Sequence, residues 1–135
     1  MSKTYVLDAN AILDFLMNGP GAERVEYLLR GARPDTPLLV SAVNWGEVFY
    51  ISWQRHGAES AKQTLAELLQ FSIRIVPVDV AQVLKAGELK AVHKVPYVDC
   101  LAAALATLNQ ATLVTSDRDF EKLGRQFPIL WITRP

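Results

Sequence analysis

At 135 residues the chain has the length of a single compact domain, and half of its residues are apolar, enough for a sizeable core. Fourteen Lys and Arg balance fourteen Asp and Glu, so the whole-molecule field supplies no strong attraction to RNA or DNA. No apolar run approaches the roughly 18 to 20 residues needed to span a bilayer, and the start Met1-Ser-Lys-Thr4 has no long apolar signal region, so a cytoplasmic protein is expected.

Tyr5-Val-Leu-Asp-Ala-Asn10 is an apolar run that stops at a carboxylate, and residues 11–18 then read as a short helix closed by Gly19-Pro20-Gly21. A strand leading into a helix presents its last residues at the carboxyl edge of a sheet, and Asp8 would stand there. Residues 22–30 carry Val25, Leu28 and Leu29 at helical spacing, and residues 31–37 form a loop. Residues 37–40 are a brief buried strand that ends at Ser41, a helix N-cap. In residues 43–54 the apolar side chains fall on nearly every side of a helix, which predicts burial on most faces. Glu47 lies inside that helix, where a carboxylate must be paired, hydrogen-bonded or bound to metal.

Residues 58–71 give an amphipathic helix with Ala61, Leu65, Leu68 and Leu69 facing one way. Residues 73–78 form a strand whose Pro77 marks a strand end or an edge, and Asp79 caps a helix from residue 80 to about residue 90. His93 falls in the linker that follows. Pro96 opens a helix through Leu108 that is rich in alanine, fit for close packing on a sheet, and Asp99 lies in its first turn. Residues 111–115 are another short strand. Ser116-Asp117-Arg118-Asp119 then turns into a helix through Leu123, with Ser116 as a cap. Residues 129–132 are a last strand and residues 133–135 a short tail. The lone Cys100 cannot form an internal disulfide, and its role is structural. Three basic groups, Arg24 with Arg30 and Arg33, Lys85 with Lys90, His93 and Lys94, and Arg118 with Lys122 and Arg125, read as solvated helix faces.

Alternating strands and helices indicate one α/β domain spanning residues 1–135, with a parallel sheet covered on both faces and the strand carboxyl ends along one edge. Asp8 and Asp117 follow strands and should reach that edge, and Asp99 opens a helix that crosses back from it. Glu47 must reach back to the mouth from about 9 Å along its helix. Each acid alone also fits an ordinary structural role, and strand order does not follow from the pattern. Were the four to converge, they could not all stay ionised without a cation, and oxygen-only ligands select Mg²⁺ or Mn²⁺ over Zn²⁺. Such a site suits metal-assisted hydrolysis of a phosphodiester. No Walker loop, GxGxxG or GxSxG elbow is present.

As an ordered set, Val6-Leu-Asp8-Ala-Asn10, Asn44-Trp-Gly-Glu47-Val48, Tyr97-Val-Asp99-Cys-Leu-Ala-Ala103 and Leu113-Val-Thr-Ser-Asp117-Arg-Asp119-Phe120 resemble the PIN-domain nucleases, and most closely the VapC toxins of toxin-antitoxin pairs. The resemblance spans almost the whole chain. It implies a PIN-like central parallel sheet flanked by helices, with Asp8, Glu47, Asp99 and Asp117 as the catalytic quartet and Asp8, Asp99 and Asp117 as the metal contacts. Around them, Asn10 would orient Asp8, while Ser116 and Asp119 stand beside Asp117, Asp119 at a less regular position. The implied reaction is Mg²⁺- or Mn²⁺-dependent endonucleolytic cleavage of RNA, tRNA or rRNA, with water as nucleophile. The implied partners are a VapB-type antitoxin and a second copy of the chain. Two other readings compete: a HAD- or receiver-like phosphoryl-transfer domain with Asp8 as nucleophile, and a non-catalytic module whose acidic pocket receives a basic peptide.

Overall fold

A computed structural model describes residues 3–134; Met1, Ser2 and Pro135, the end of the expected tail, lie outside the described residues. Five short apolar segments form the strands β1 (Tyr5–Leu7), β2 (Leu38–Ser41), β3 (Ile73–Val76), β4 (Thr112–Thr115) and β5 (Ile129–Trp131). They pair in the order β3-β2-β1-β4-β5, parallel throughout, so every strand ends at the same edge of the sheet. β1 is the middle strand, and the register Leu7↔Val114 sets the ends of β1 and β4 side by side. The helices α1 (Ala9–Leu16), α2 (Ala22–Gly31), α3 (Ala42–His56), α4 (Ala58–Leu68), α5 (Val80–His93) and α6 (Tyr97–Leu108), with a 3₁₀ segment at Arg118–Leu123, cover both faces.

Successive strand residues point to opposite faces and so divide the apolar side chains between two cores. Val6, Leu39 and Leu113 pack with α5, α6 and the 3₁₀ segment. Leu7, Leu38, Val40 and Val114 pack with α1, α2, α3 and α4. The alanines of α6 are buried together with Cys100, Leu101 and Leu105, in an unbroken run from Cys100 to Ala106. Pro77 stands just past β3, an edge strand, where its missing N–H costs no ladder bond. Among the described residues no helix is long and apolar enough to cross a membrane.

Four local expectations change. Helix α3 is not buried on most faces; its buried residues are Asn44, Val48 and Ser52, a single i, i+4, i+8 stripe, while Tyr50 and Trp53 are about half exposed. Helix α4 stops at Leu68 and leaves Leu69 exposed. Helix α5 runs on to His93 and ends where Lys94 takes the left-handed conformation, φ 60°, so His93 is a helix residue rather than a linker. The segment after β4 is 3₁₀, and its cap is Asp117, not Ser116. Asp117 can bond the N–H of Asp119 directly, which closes the tighter turn.

Candidate active site

Asp8 is the first residue past β1 and the N-cap of α1: its Oδ1 accepts the Ala11 backbone N–H at 2.8 Å. Its Oδ2 accepts the Thr115 hydroxyl at 2.6 Å, from the end of the neighbouring strand β4. The Thr115 oxygen in turn accepts the Asp117 N–H at 3.0 Å, so one fully buried hydroxyl links the two strand ends. Asp8 is only 3% exposed. Burial pushes its carboxyl from an ordinary 3.8 up to about 7; the bonds from Thr115 and Ala11 oppose the rise, and the charges of Asp99 and Asp117 add to it.

Asp99 arrives in the first turn of α6 and is half-buried. Its carboxyl is raised to about 6, first by burial and then by Asp117, Glu47 and Asp119. One carboxylate oxygen from each of Asp99, Asp117 and Asp119 lies within 4.8 Å of the other two. Glu47 reaches this group from the second turn of α3, with its Oε1 accepting the Asn44 side-chain N–H at 2.7 Å. The four acids of the sequence motifs therefore face one mouth at the carboxyl edge. Asp119, rather than Asp8, completes the tightest trio of oxygens, because Asp8 is drawn inward by Ala11 and Thr115.

No basic side chain is among the groups that set the pKa of Asp8 or Asp99. Lys122 reaches Asp119 at 3.8 Å, but that pair sits at the exposed rim. Such a crowd of carboxylates, with no His or Cys among the donors, fits a hard divalent cation. The geometry weighs against Asp8 as a phosphoryl-accepting nucleophile, since it is the most buried acid here and each of its oxygens already carries a hydrogen bond.

The PIN domain family model matches residues 5–126, a span that takes in all four acids and every element except β5. The chain belongs to the PIN domain family. No curated protein matches the sequence significantly. Among solved structures the fold is similar to VapBC-1 from nontypeable Haemophilus influenzae, with a TM-score of 0.76 and 20% identity over 97% of this chain and 99% of that one. A toxin-antitoxin complex from Klebsiella pneumoniae superposes with a TM-score of 0.73 at 19% identity, over 98% of this chain and 100% of that one. Mycobacterium tuberculosis VapC20, described as a sarcin-ricin loop cleaving toxin, gives a TM-score of 0.73 at 18% identity, with coverage of 98% and 100%.

Two supporting residues of this PIN domain escaped the sequence reading. Thr115 looked like one more β-branched strand residue, though its place at the strand end, two before Asp117, was a usable signal. Asn44 stands three residues before Glu47, a spacing that puts both on one helix face. Asn10 does not orient Asp8: its Oδ1 accepts both the Ser116 backbone N–H, at 3.0 Å, and the Ser116 hydroxyl. Orienting Asp8 falls to Ala11 and Thr115 instead.

Proposed function

We propose that this PIN domain, residues 1–135, is a Mg²⁺- or Mn²⁺-dependent endoribonuclease, the VapC-type toxin of a toxin-antitoxin pair that acts in the cytoplasm. The observation that carries the reading is the trio of oxygens from Asp99, Asp117 and Asp119 within 4.8 Å, beside two carboxyls raised to about 7 and about 6 that no cationic side chain relieves. A divalent ion would be held by Asp8, Asp99 and Asp117, with Asp119 at its side. Asp8 remains able to contribute, because a carboxylate oxygen with one hydrogen bond keeps a second lone pair. The ion, when bound, polarises the scissile phosphate and makes water a competent nucleophile at neutral pH. Glu47 has Oε1 held by Asn44, which leaves Oε2 to accept the proton that water gives up. Thr115 holds Asp8 and the Asp117 backbone in register.

RNA is the substrate class suggested by the likeness to VapC20, a sarcin-ricin loop cleaving toxin, and the chain's zero formal net charge suits recognition by shape more than by bulk attraction. The antitoxin reading draws on the VapBC neighbours and on the aromatic side chains of α3: exposed Tyr50 and Trp53, with Phe49 packed edge-on against Trp53 at 5.5 Å. An amphipathic VapB-type segment could cover these rings and lay a basic side chain at the acids. Purified protein should cut RNA in Mg²⁺ or Mn²⁺ and stop in EDTA, and Asp8→Asn should lower the rate at least about 100-fold while the fold persists. Cleavage that proceeds in EDTA, or equally well in Asp8→Asn, would remove the acids from the reaction.

A further inference from the structure

At the mouth of the acidic site the carboxylates of Asp8, Glu47, Asp99, Asp117 and Asp119, once they hold an ion, offer it and the substrate oxygens alone, and no N–H donor. A phosphodiester entering there is repelled by each of them and needs a donor besides the bound ion to fix its orientation. Asn10 is placed to supply one. It follows Asp8 by two residues, just beyond the carboxyl end of β1, and its side chain bridges to Ser116, just beyond the end of β4.

The direction of the amide follows from the chemistry of its partner. A backbone N–H can only donate, so the atom that meets the Ser116 N–H at 3.0 Å must be the carbonyl oxygen Oδ1, and the Ser116 hydroxyl donates to that same oxygen. With Oδ1 pinned by two donors, the NH₂ group is the end left over. Asn10 is exposed, and no acceptor among the described residues takes its Nδ2 hydrogens. The side chain is therefore preorganised, with its donor end free beside the strand ends that carry Asp8 and Asp117.

We propose that Asn10 is a substrate-contacting residue whose Nδ2 donates to an anionic oxygen of the RNA backbone phosphate, while Ser116 positions it from the neighbouring strand end. The assignment rests on the nuclease reading of the acidic site. A neutral amide suits the task because it supplies a directed donor without adding a cation that would neutralise the acids or compete with the metal.

Two substitutions separate donation from the clasp between strand ends. Asn10→Asp keeps the shape and the oxygen that Ser116 bonds but replaces the donor with an acceptor and adds a negative charge; Asn10→Ala removes donor and clasp together and adds no charge, so a loss shared by both variants reports the donor. Cleavage of a randomised-sequence RNA pool in Mn²⁺ gives kcat/KM, calorimetry without RNA gives Mn²⁺ affinity, and thermal melting reports the fold. Loss of a hydrogen bond to a charged group predicts that both variants drop about 10- to 100-fold in kcat/KM. Asn10→Asp should melt with the wild type, and neither variant should bind Mn²⁺ more weakly. Either variant cleaving within about threefold of the wild type, or Mn²⁺ affinity falling in step with the rate, overturns the proposal. A wild-type chain that binds Mn²⁺ yet cuts no RNA overturns the nuclease reading, and this assignment with it.

Discussion

Asp8 and Asp99 hold protons over a range in which carboxylates of the unfolded chain have already lost them. With Asp8 raised from 3.8 to about 7 and Asp99 to about 6, the ion-free native state binds more protons than the unfolded state between about pH 4 and pH 7. Native stability contributed by these groups is therefore greatest at the acidic end and falls as pH rises through that window. For Asp8, almost fully buried, the loss is on the order of 4 kcal/mol. A divalent ion prefers the ionised carboxylates and reverses the slope. Thermal melting in EDTA should show Tm falling from pH 5 to pH 8, Asp8→Asn should flatten that fall, and Mn²⁺ should raise Tm more at pH 8 than at pH 5. An ion-free Tm that climbs with pH and ignores the Asn substitution would mean that neither burial nor the neighbouring charges strain these acids. At this scale the acids were legible because Asp8 and Asp117 follow strands, Asp99 opens a helix and Glu47 sits in a largely apolar one, each inside a recognisable motif. Their supports were less so: Thr115 bonds a residue 107 positions away, a contact set by the β1–β4 pairing and invisible to local pattern.

The elements were legible where periodicity and helix ends speak for themselves, and illegible where tertiary packing decides. The order β3-β2-β1-β4-β5 sets the ends of β1 and β4 adjacent and brings Asp8 beside Asp117, yet none of the strand sequences specifies its neighbour. The aromatic run of α3 suggested burial on most faces, whereas the helix buries one stripe and lies against α4, its companion from the next turn of the chain. Helix α6 carries the opposite lesson. Of its seven consecutive buried residues four are alanine and one is cysteine, with Leu101 and Leu105 filling the rest of the space between the sheet and α5, and that seat fixes where its first turn presents Asp99. Ala103, fully buried four residues after Asp99, is the position to probe. Ala103→Leu should cost about 1 to 3 kcal/mol by overpacking and should weaken Mn²⁺ binding as α6 is pushed off the sheet. Denaturant unfolding and calorimetry measure the two effects. Unchanged stability with Leu would show that α6 has slack and that the alanines do not set the site.

For the molecule as a whole, the question is which surface meets which partner. Beyond the aromatic side chains of α3, a second apolar group lies on α5: Val80, Leu84 and Val92 are each about 70% exposed and recur at four-residue spacing, interrupted by Glu88. A stripe of this kind on an outer helix leaves apolar area in water that an isologous contact can cover, since a two-fold axis sets the same residues against themselves. With α3 proposed as the antitoxin face, the α5 stripe is where a second copy of the chain would pack. Sedimentation at tens of micromolar should give twice the chain's mass for the wild type and for Trp53→Glu, and the single-chain mass for Leu84→Glu. Leu84 is exposed, so its replacement should leave Tm extrapolated to low concentration within a few degrees, while the concentration dependence of Tm, the mark of a coupled dimer, disappears. A wild type that sediments as one chain, or a Leu84→Glu variant that still pairs, would return α5 to solvent and move the self-contact elsewhere. Trp53→Glu becoming monomeric would name α3 as that place and leave the antitoxin to another face.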